Sequence, residues 1–139
     1  LFAYDFYERF VSDYEKNTPV TPCLVRPLSY LEFAKNEPFL FKLLFVSDMD
    51  LDLTQANDFY REIGNQQKAE RFSRQMGLSP QKGKEVFLDL FLYTHGIAVL
   101  TATGKASFDL PTQEQRLETF LAALTHYKEV PHAQQSLPD

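Results

Sequence analysis

The chain reads as an all-α protein, a helical bundle, on three observations. Apolar residues recur at i, i+3, i+4 and i+7 in one segment after another. Proline, glycine and small hydroxyl residues stand where such segments start and stop. No run of alternating apolar and polar residues reads as a strand. With 139 residues, 44% of them apolar, the chain has the length of one globular domain, large enough to bury roughly 68% of the surface its unfolded form exposes.

The elements follow in order. Phe2, Phe6, Phe10 and Tyr14 recur every four residues with Ala3, Tyr7 and Val11 beside them, a helix already under way at Leu1. It stops near Asn17-Thr18-Pro19-Val20-Thr21-Pro22. The next helix carries Leu24, Leu28, Leu31 and Ala34. Thr21 with Pro22 and Arg26 with Pro27 each supply a start for it, and with the earlier start Pro27 should kink it. Pro38 ends that helix and begins another, Phe39 to Phe45, before an acidic loop, Ser47-Asp48-Met49-Asp50-Leu51-Asp52. Thr54 is the expected N-cap of a helix running toward Met76, with Gly64 as a weak point and Gly77 as its stop. Ser79-Pro80 opens a long apolar helix that Gly104 ends. Thr112 and Gln115 make a capping box for the last helix, whose Leu117, Phe120, Leu121, Leu124 and Tyr127 fit the helical template. Residues 1–129 form the domain, and 130–139, with Pro131 and Pro138, form a polar tail.

The long apolar helix holds the most informative stretch, Tyr93-Thr94-His95-Gly96 inside the run Val86 to Ala102. Between Val86 and Leu100 only Asp89, Thr94, His95 and Gly96 interrupt the apolar residues. A surface helix shows one apolar stripe and a wet back, so a helix apolar on nearly every face calls for cover on several sides. One side belongs to the domain's own core, and the rest points to a second subunit; a central core helix of a monomer is the plainer alternative. A membrane span is not expected, because the run is marginally short and includes Asp89 and His95.

Charge and chemistry-bearing residues narrow the classes. Net charge is -5 with a pI near 5.2, which argues against this chain gripping a phosphate backbone by itself. Cys23 stands alone, so no internal disulfide forms, and a cytoplasmic setting fits. Asp48, Asp50 and Asp52 alternate like the opening of a calcium loop, but Leu53 and Phe59 occupy the positions that would need glycine and a bidentate glutamate. His95, His126 and His132 lack neighbours at metal-ligand spacing. No phosphate loop, nucleophile elbow or CxxC is present. No enzyme, no metal and no cofactor is implied. Thirteen Phe and seven Tyr, with no Trp, fill a bulky core; a subset lining a cavity between helices is the sharper reading.

Two stretches resemble a known family. Tyr30-Leu31-Glu32-Phe33-Ala34-Lys35-Asn36-Glu37-Pro38-Phe39-Leu40-Phe41-Lys42-Leu43-Leu44-Phe45 is similar to the "helix, Phe-Ala, Pro, aromatic, Leu-Phe" pattern in regulatory domains of the TetR/AcrR family of bacterial repressors. Gly77-Leu78-Ser79-Pro80 leading into Tyr93-Thr94-His95-Gly96-Ile97-Ala98-Val99-Leu100 resembles the Trp-His-Gly motif of one of its C-terminal domain classes, with Tyr93 and Thr94 before His95 and no tryptophan. The resemblance spans most of Leu24 to Tyr127. It implies a TetR-like regulatory domain that dimerises through its last two long helices and often binds a small effector, while operator DNA is read by an N-terminal helix-turn-helix domain. On that reading the chain is part of a longer polypeptide, a basic helix-turn-helix lies upstream of Leu1, and this part alone has no sequence-specific DNA affinity.

These readings commit to residues. A homodimer is expected through the helix from about Ser79 to Thr103 and the helix from about Thr112 to Lys128, with Leu88, Leu92, Val99, Phe120, Ala123 and Tyr127 at the interface. An apolar or aromatic effector is expected between the helices carrying Phe33, Phe41, Phe45, Phe59 and Phe72 and the face of the apolar helix with Phe87, Phe91 and His95, which are spaced four apart. The competing role for His95 is a hydrogen bond inside the core. A ligand-free dimerisation or interaction module and, further off, a small helical enzyme using His95 with a distant carboxylate are the rival functions.

Overall fold

A computed structural model describes residues 2–127, and all its regular elements are helical. Six α-helices organise it: α1 (Phe2–Asn17), α2 (Val25–Asn36), α3 (Pro38–Lys42), α4 (Ile63–Met76), α5 (Pro80–Ala102) and α6 (Leu110–Tyr127). The all-α bundle expected from the apolar periodicity is therefore present. The proposed tail, residues 130–139, lies outside the described residues, as do Lys128 and His132.

Helix α5 is the hub and packs against α2, α3, α4 and α6, while α1 lies along α2. The main core gathers Leu24, Leu28, Leu31, Phe33 and Ala34 from the α2 region, Phe41 from α3, Val86, Leu90 and Ala98 from α5, and Leu117 and Leu121 from α6. A smaller cluster forms where Phe59 and Tyr60 meet Ala69 of α4 and Leu88 of α5. By length and composition α5 could cross a membrane, but its first two turns carry Lys82, Lys84 and Glu85, and a third of its most apolar window is buried inside the domain.

The helix ends show which local signals decided the boundaries. The start at Thr21-Pro22 opens a 3-10 turn, Pro22–Leu24, and α2 proper begins at Val25, one residue before the alternative start at Arg26-Pro27. Pro27 then falls in the first turn, where its missing N–H has no intrahelical partner to lose. Pro38 opens α3 as expected, but after Lys42 the chain widens into a π turn, Leu43–Ser47, closed by Asp48 N–H donating to Leu43 C=O at 2.8 Å.

The helix expected from Thr54 to Met76 is broken. Residues Ala56–Arg61 form a 3-10 turn, Glu62 is extended, and α4 starts at Ile63. The Asp58 carboxylate accepts the N–H groups of Thr54 and Gln55 at 2.9 Å each, making the turn self-sufficient. These two bonds, with Arg61 nearby, hold the Asp58 carboxyl below its usual range. The break therefore falls at Glu62, and Gly64 sits inside a regular helix.

Gly77 stops α4 at φ 68°, and Leu78 N–H reaches back to Ser73 C=O at 2.9 Å in a Schellman pattern. Ser79 caps α5 by accepting Lys82 N–H at 3.2 Å. On α6 the cap is Asp109, which accepts Thr112 N–H at 3.0 Å; Thr112, expected to be the cap, lies inside the helix. Aspartate followed by Leu110-Pro111 is itself a start signal, because proline suits the first turn.

Gly83 sets the distance between α4 and α5. A Cβ at this position would lie 2.6 Å from Ser73 Cβ and 3.2 Å from Ser73 Cα, and would also collide with Ser73 Oγ, which is held by donating to Ala69 C=O at 2.7 Å. Gly83→Ala should therefore destabilise the domain by about 1–2 kcal/mol, the overpacking cost exceeding the gain in helix propensity. Urea unfolding of Gly83→Ala, Ser73→Gly and the double variant checks this. A coupling of about 1 kcal/mol in the relieving direction is expected, and additivity would refute the close contact.

Candidate functional site

The tetrad in α5 turns its four residues in four directions, since successive helical residues rotate by about 100°. Tyr93 stacks on Phe120 of α6 with centroids 4.1 Å apart and planes 6° from parallel. Thr94 is buried, and its Oγ1 has no hydrogen-bond partner among the described residues. His95 turns toward α2 and α3, where it meets Tyr30 and Phe41. Gly96 faces outward, with nothing within 4 Å of where a Cβ would stand.

The eight residues expected to line a cavity are brought together, but as a continuous seam of touching rings. Phe33 meets Phe45 at 6.4 Å, Phe45 meets Phe41 at 5.5 Å, and Phe41 meets His95 at 6.0 Å. His95 stacks on Phe91 at 5.5 Å, Phe91 meets Phe59 at 5.0 Å, Phe59 meets Phe87 at 6.3 Å, and Phe87 meets Phe72 at 5.5 Å. Such edge and offset contacts are those aromatic quadrupoles favour, and they fill the space between α2, α3, α4 and α5. Tyr7 and Tyr30 belong to the same seam; Tyr7 sits 5.0 Å from Phe33 and 4.9 Å from Phe45.

His95 is held by the fold. Its Nδ1 lies 2.7 Å from Tyr30 Oη. A neutral phenol is the better donor and an imidazole nitrogen the better acceptor, so Tyr30 donates and the His95 proton sits on Nε2. Burial pushes the His95 pKa below its ordinary value and the Tyr30 pKa above its own, which keeps both neutral at pH 7.

Because His95 binds its proton more weakly folded than unfolded, stability should fall as pH drops through the region below about 6.5. His95→Gln should remove that part of the pH dependence. Tyr30→Phe, which leaves Nδ1 unpaired, should cost about 1 kcal/mol at pH 7.5. Thermal melts of the parent and both variants between pH 5.5 and 7.5 measure this, and an unchanged acid slope in His95→Gln would assign it to another group.

Open space lies beside the seam. A cleft of about 280 Å³ runs between α1, α2 and α4, walled by Val11, Cys23, Val25, Phe72 and Phe87 and rimmed by Glu15, Arg26, Lys68 and Arg71. Of the eight residues expected to contact an effector, Phe72 and Phe87 border it. Positions 64, 68, 71 and 75 recur at helical spacing and turn one face of α4 into the cleft. Arg26 Nη2 donates to Glu8 Oε1 at 3.2 Å. Lys68 has its pKa pulled below the ordinary lysine value by burial and by the neighbouring Arg26 charge. Burial of Cys23 pushes its thiol pKa up, the opposite of what a reactive thiolate needs. Among the described residues no three His, Cys, Asp or Glu side chains converge on a point that could hold a metal ion.

The outer surface of α5 carries an apolar ridge, whereas the exposed positions of α6 are mostly polar. Leu92 is 50% exposed and Leu100 46% exposed, with Gly96 between them at the same four-residue spacing. Beside this ridge, Tyr93, Phe120 and Ala123 line a shallow groove together with Thr112, Gln115, Arg116 and Thr119. Of the residues expected at a dimer interface, Leu92 is exposed, whereas Val99, Phe120 and Ala123 are half-buried. Leu88 needs correcting: it is only 8% exposed and packs inside the subunit on Phe59, Tyr60 and Ala69. It lies one turn before Leu92, but the 3-10 turn covers that part of α5. The side chain of Tyr127 lies outside the described residues.

Sequence reasoning missed Tyr30, Tyr7, Arg26, Lys68 and Arg71 as candidate site residues. The periodicity of α1 put Tyr7 beside its apolar stripe, but Arg26 of α2 and Lys68 and Arg71 of α4 come to one cleft from elements distant in sequence, and no local pattern announces that. No family model, curated protein or solved structure matches this chain.

Proposed function

We propose that this domain is the dimerising, effector-sensing part of a TetR-like transcriptional repressor, whose operator-reading domain precedes it in a longer polypeptide. The observation that carries the reading is the exposed apolar ridge of Leu92, Gly96 and Leu100 on α5, next to the Tyr93–Phe120 groove on α6. A long apolar helix that keeps one exposed apolar stripe although α2, α3, α4 and α6 pack around the rest of it fits what the resemblance implies, a dimer built from the last two helices. Glycine in the middle of the ridge allows two α5 helices to approach closely. By this reading α5 is the centre of a dimer rather than a membrane span, and the acidic charge leaves DNA binding to the other domain.

Sensing requires that a ligand favour one arrangement of the helices over another. In the dimer such a preference alters the separation of two DNA-reading helices, which must match half-sites about 34 Å apart. Operator and effector then weaken each other's binding by the same factor. The rival reading, a ligand-free dimerisation module, draws on the aromatic seam, which is filled by its own rings. The cleft between α1, α2 and α4 favours the sensor.

Light scattering at tens of micromolar tests the reading. The expected mass is about twice the 16.1 kDa of the chain, and a monomer mass would overturn it.

A further inference from the structure

We infer that the cleft between α1, α2 and α4 binds a small amphipathic carboxylate, its acid group held by Lys68 and Arg71 and its apolar body laid against Val11, Phe72 and Phe87. This builds on the sensing role proposed above and names the class of ligand and the residues that would select it.

The charge distribution carries the inference. The chain as a whole is acidic, with 19 Asp and Glu against 14 Lys and Arg, yet three cations, Arg26, Lys68 and Arg71, converge on this one cleft. Glu8 neutralises Arg26 through their ion pair, and Glu15 stands across the cleft at its α1 wall. Lys68 is partly buried beside Arg26, and although Glu8 and Glu62 lie near enough to offset part of that charge, neither Lys68 nor Arg71 is within ion-pair distance of a carboxylate among the described residues. Two cations that form no ion pair among the described residues, in a concave site with an apolar floor, are suited to a ligand with one negative end. Phe72 and Phe87, whose rings are 5.5 Å apart, provide that floor. The volume of about 280 Å³ is at the small end for ligand sites, which commonly span about 300–1,000 Å³. Gly64 lies at the cleft with no heavy atom within 4 Å of where its Cβ would stand, so the α4 side stays open.

The site also makes a link to the helices that any sensing would have to move. Val11 and Glu15 belong to α1, Lys68, Arg71 and Phe72 to α4, and Phe87 to α5. A ligand bridging them ties α1 to the α4–α5 pair.

Isothermal titration of the 139-residue chain with phenylacetate, 4-phenylbutyrate and octanoate tests this, with the corresponding uncharged amides and inorganic phosphate as controls. Saturable binding of at least one carboxylate is expected, with its amide and phosphate at least tenfold weaker. Lys68→Met and Arg71→Gln should each weaken binding about tenfold or more, as loss of a charge-assisted hydrogen bond does. Lys68→Arg should retain it, and Arg74→Gln, a cation of α4 that does not line the cleft, should leave it unchanged. Lys68→Met without ligand should melt no lower than the parent, because it removes a buried cation from beside Arg26; this separates a binding defect from a folding defect. No binding of any of the three carboxylates at millimolar concentration, equal binding of the amides, equal binding of phosphate, or binding untouched by both cleft variants would each overturn the inference. None of these results depends on the dimer or on operator DNA, so the ligand class and the repressor reading can fail separately.

Discussion

Phe33→Ala is expected to lower the stability of the domain by about 3–5 kcal/mol, while Phe39→Ala, six residues away, should change it by less than about 0.5 kcal/mol. Both phenylalanines belong to the same sequence motif, but Phe33 is fully buried and Phe39 is 74% exposed. Phe33 touches Phe6, Tyr7 and Phe10 of α1 and Phe45 after α3, with ring centroids between 5.0 and 6.4 Å. Truncation would remove the ring from all four at once and leave a cavity, because the surrounding rings are fixed by their own neighbours and can collapse only in part. For a domain of this length the loss corresponds to roughly 10–17 °C in melting temperature. Circular dichroism melts of the two variants against the parent measure the difference. Similar melting temperatures for the two alanine variants would mean that α1 does not pack on α2 through Phe33.

The contrast between those two phenylalanines also marks how far the sequence could be read. Helical periodicity placed Phe33, Leu31 and Leu28 on one element and fixed the all-α class, because a period near 3.6 depends only on neighbours along the chain. Ser79-Pro80 and Gly77 located the turn between α4 and α5 for the same reason. The break at Glu62 was not legible. It depends on Asp58 folding back onto Thr54 and Gln55, and aspartate is compatible with a helix as well as with a turn.

At the site, the spacing of Phe87, Phe91 and His95 correctly implied a shared face, but not whether that face met space or other rings. Phe41, Phe45 and Phe59 fill it from elements 28 or more residues away in sequence, and the partner of His95, Tyr30, is 65 residues away. The cleft was hidden for a related reason. Arg26, Lys68 and Arg71 share no local pattern, and only the packing of α4 on α5 and on the 3-10 turn before α2 places them around one space.

Leu92→Glu combined with Leu100→Glu is expected to convert the proposed dimer to a monomer without unfolding it. The two side chains are 50% and 46% exposed in the single chain, so each tolerates a charge when α5 faces water. In a two-fold dimer every substitution occurs twice across the interface, which makes a small change in each copy decisive. Burying one leucine contributes about 1.5–3 kcal/mol, of which roughly half is still available in a side chain already half covered. Four such side chains then account for about 3–6 kcal/mol of association. Losing that is a factor of roughly 10²–10⁴ in dissociation constant, before repulsion between facing carboxylates is added. Light scattering from one to one hundred micromolar should show the parent as a dimer throughout and the variant as a monomer, while circular dichroism remains helical in both. Leu88→Ala is the informative comparison: its side chain packs inside the subunit on Phe59 and Tyr60, so it should lower the melting temperature and leave the mass at that of a dimer. If Leu88→Ala alone dissociated the protein while the double glutamate variant stayed dimeric, the interface would lie on the Phe59 side of α5, and the ridge around Gly96 would have to be covered by something other than a second copy of this chain.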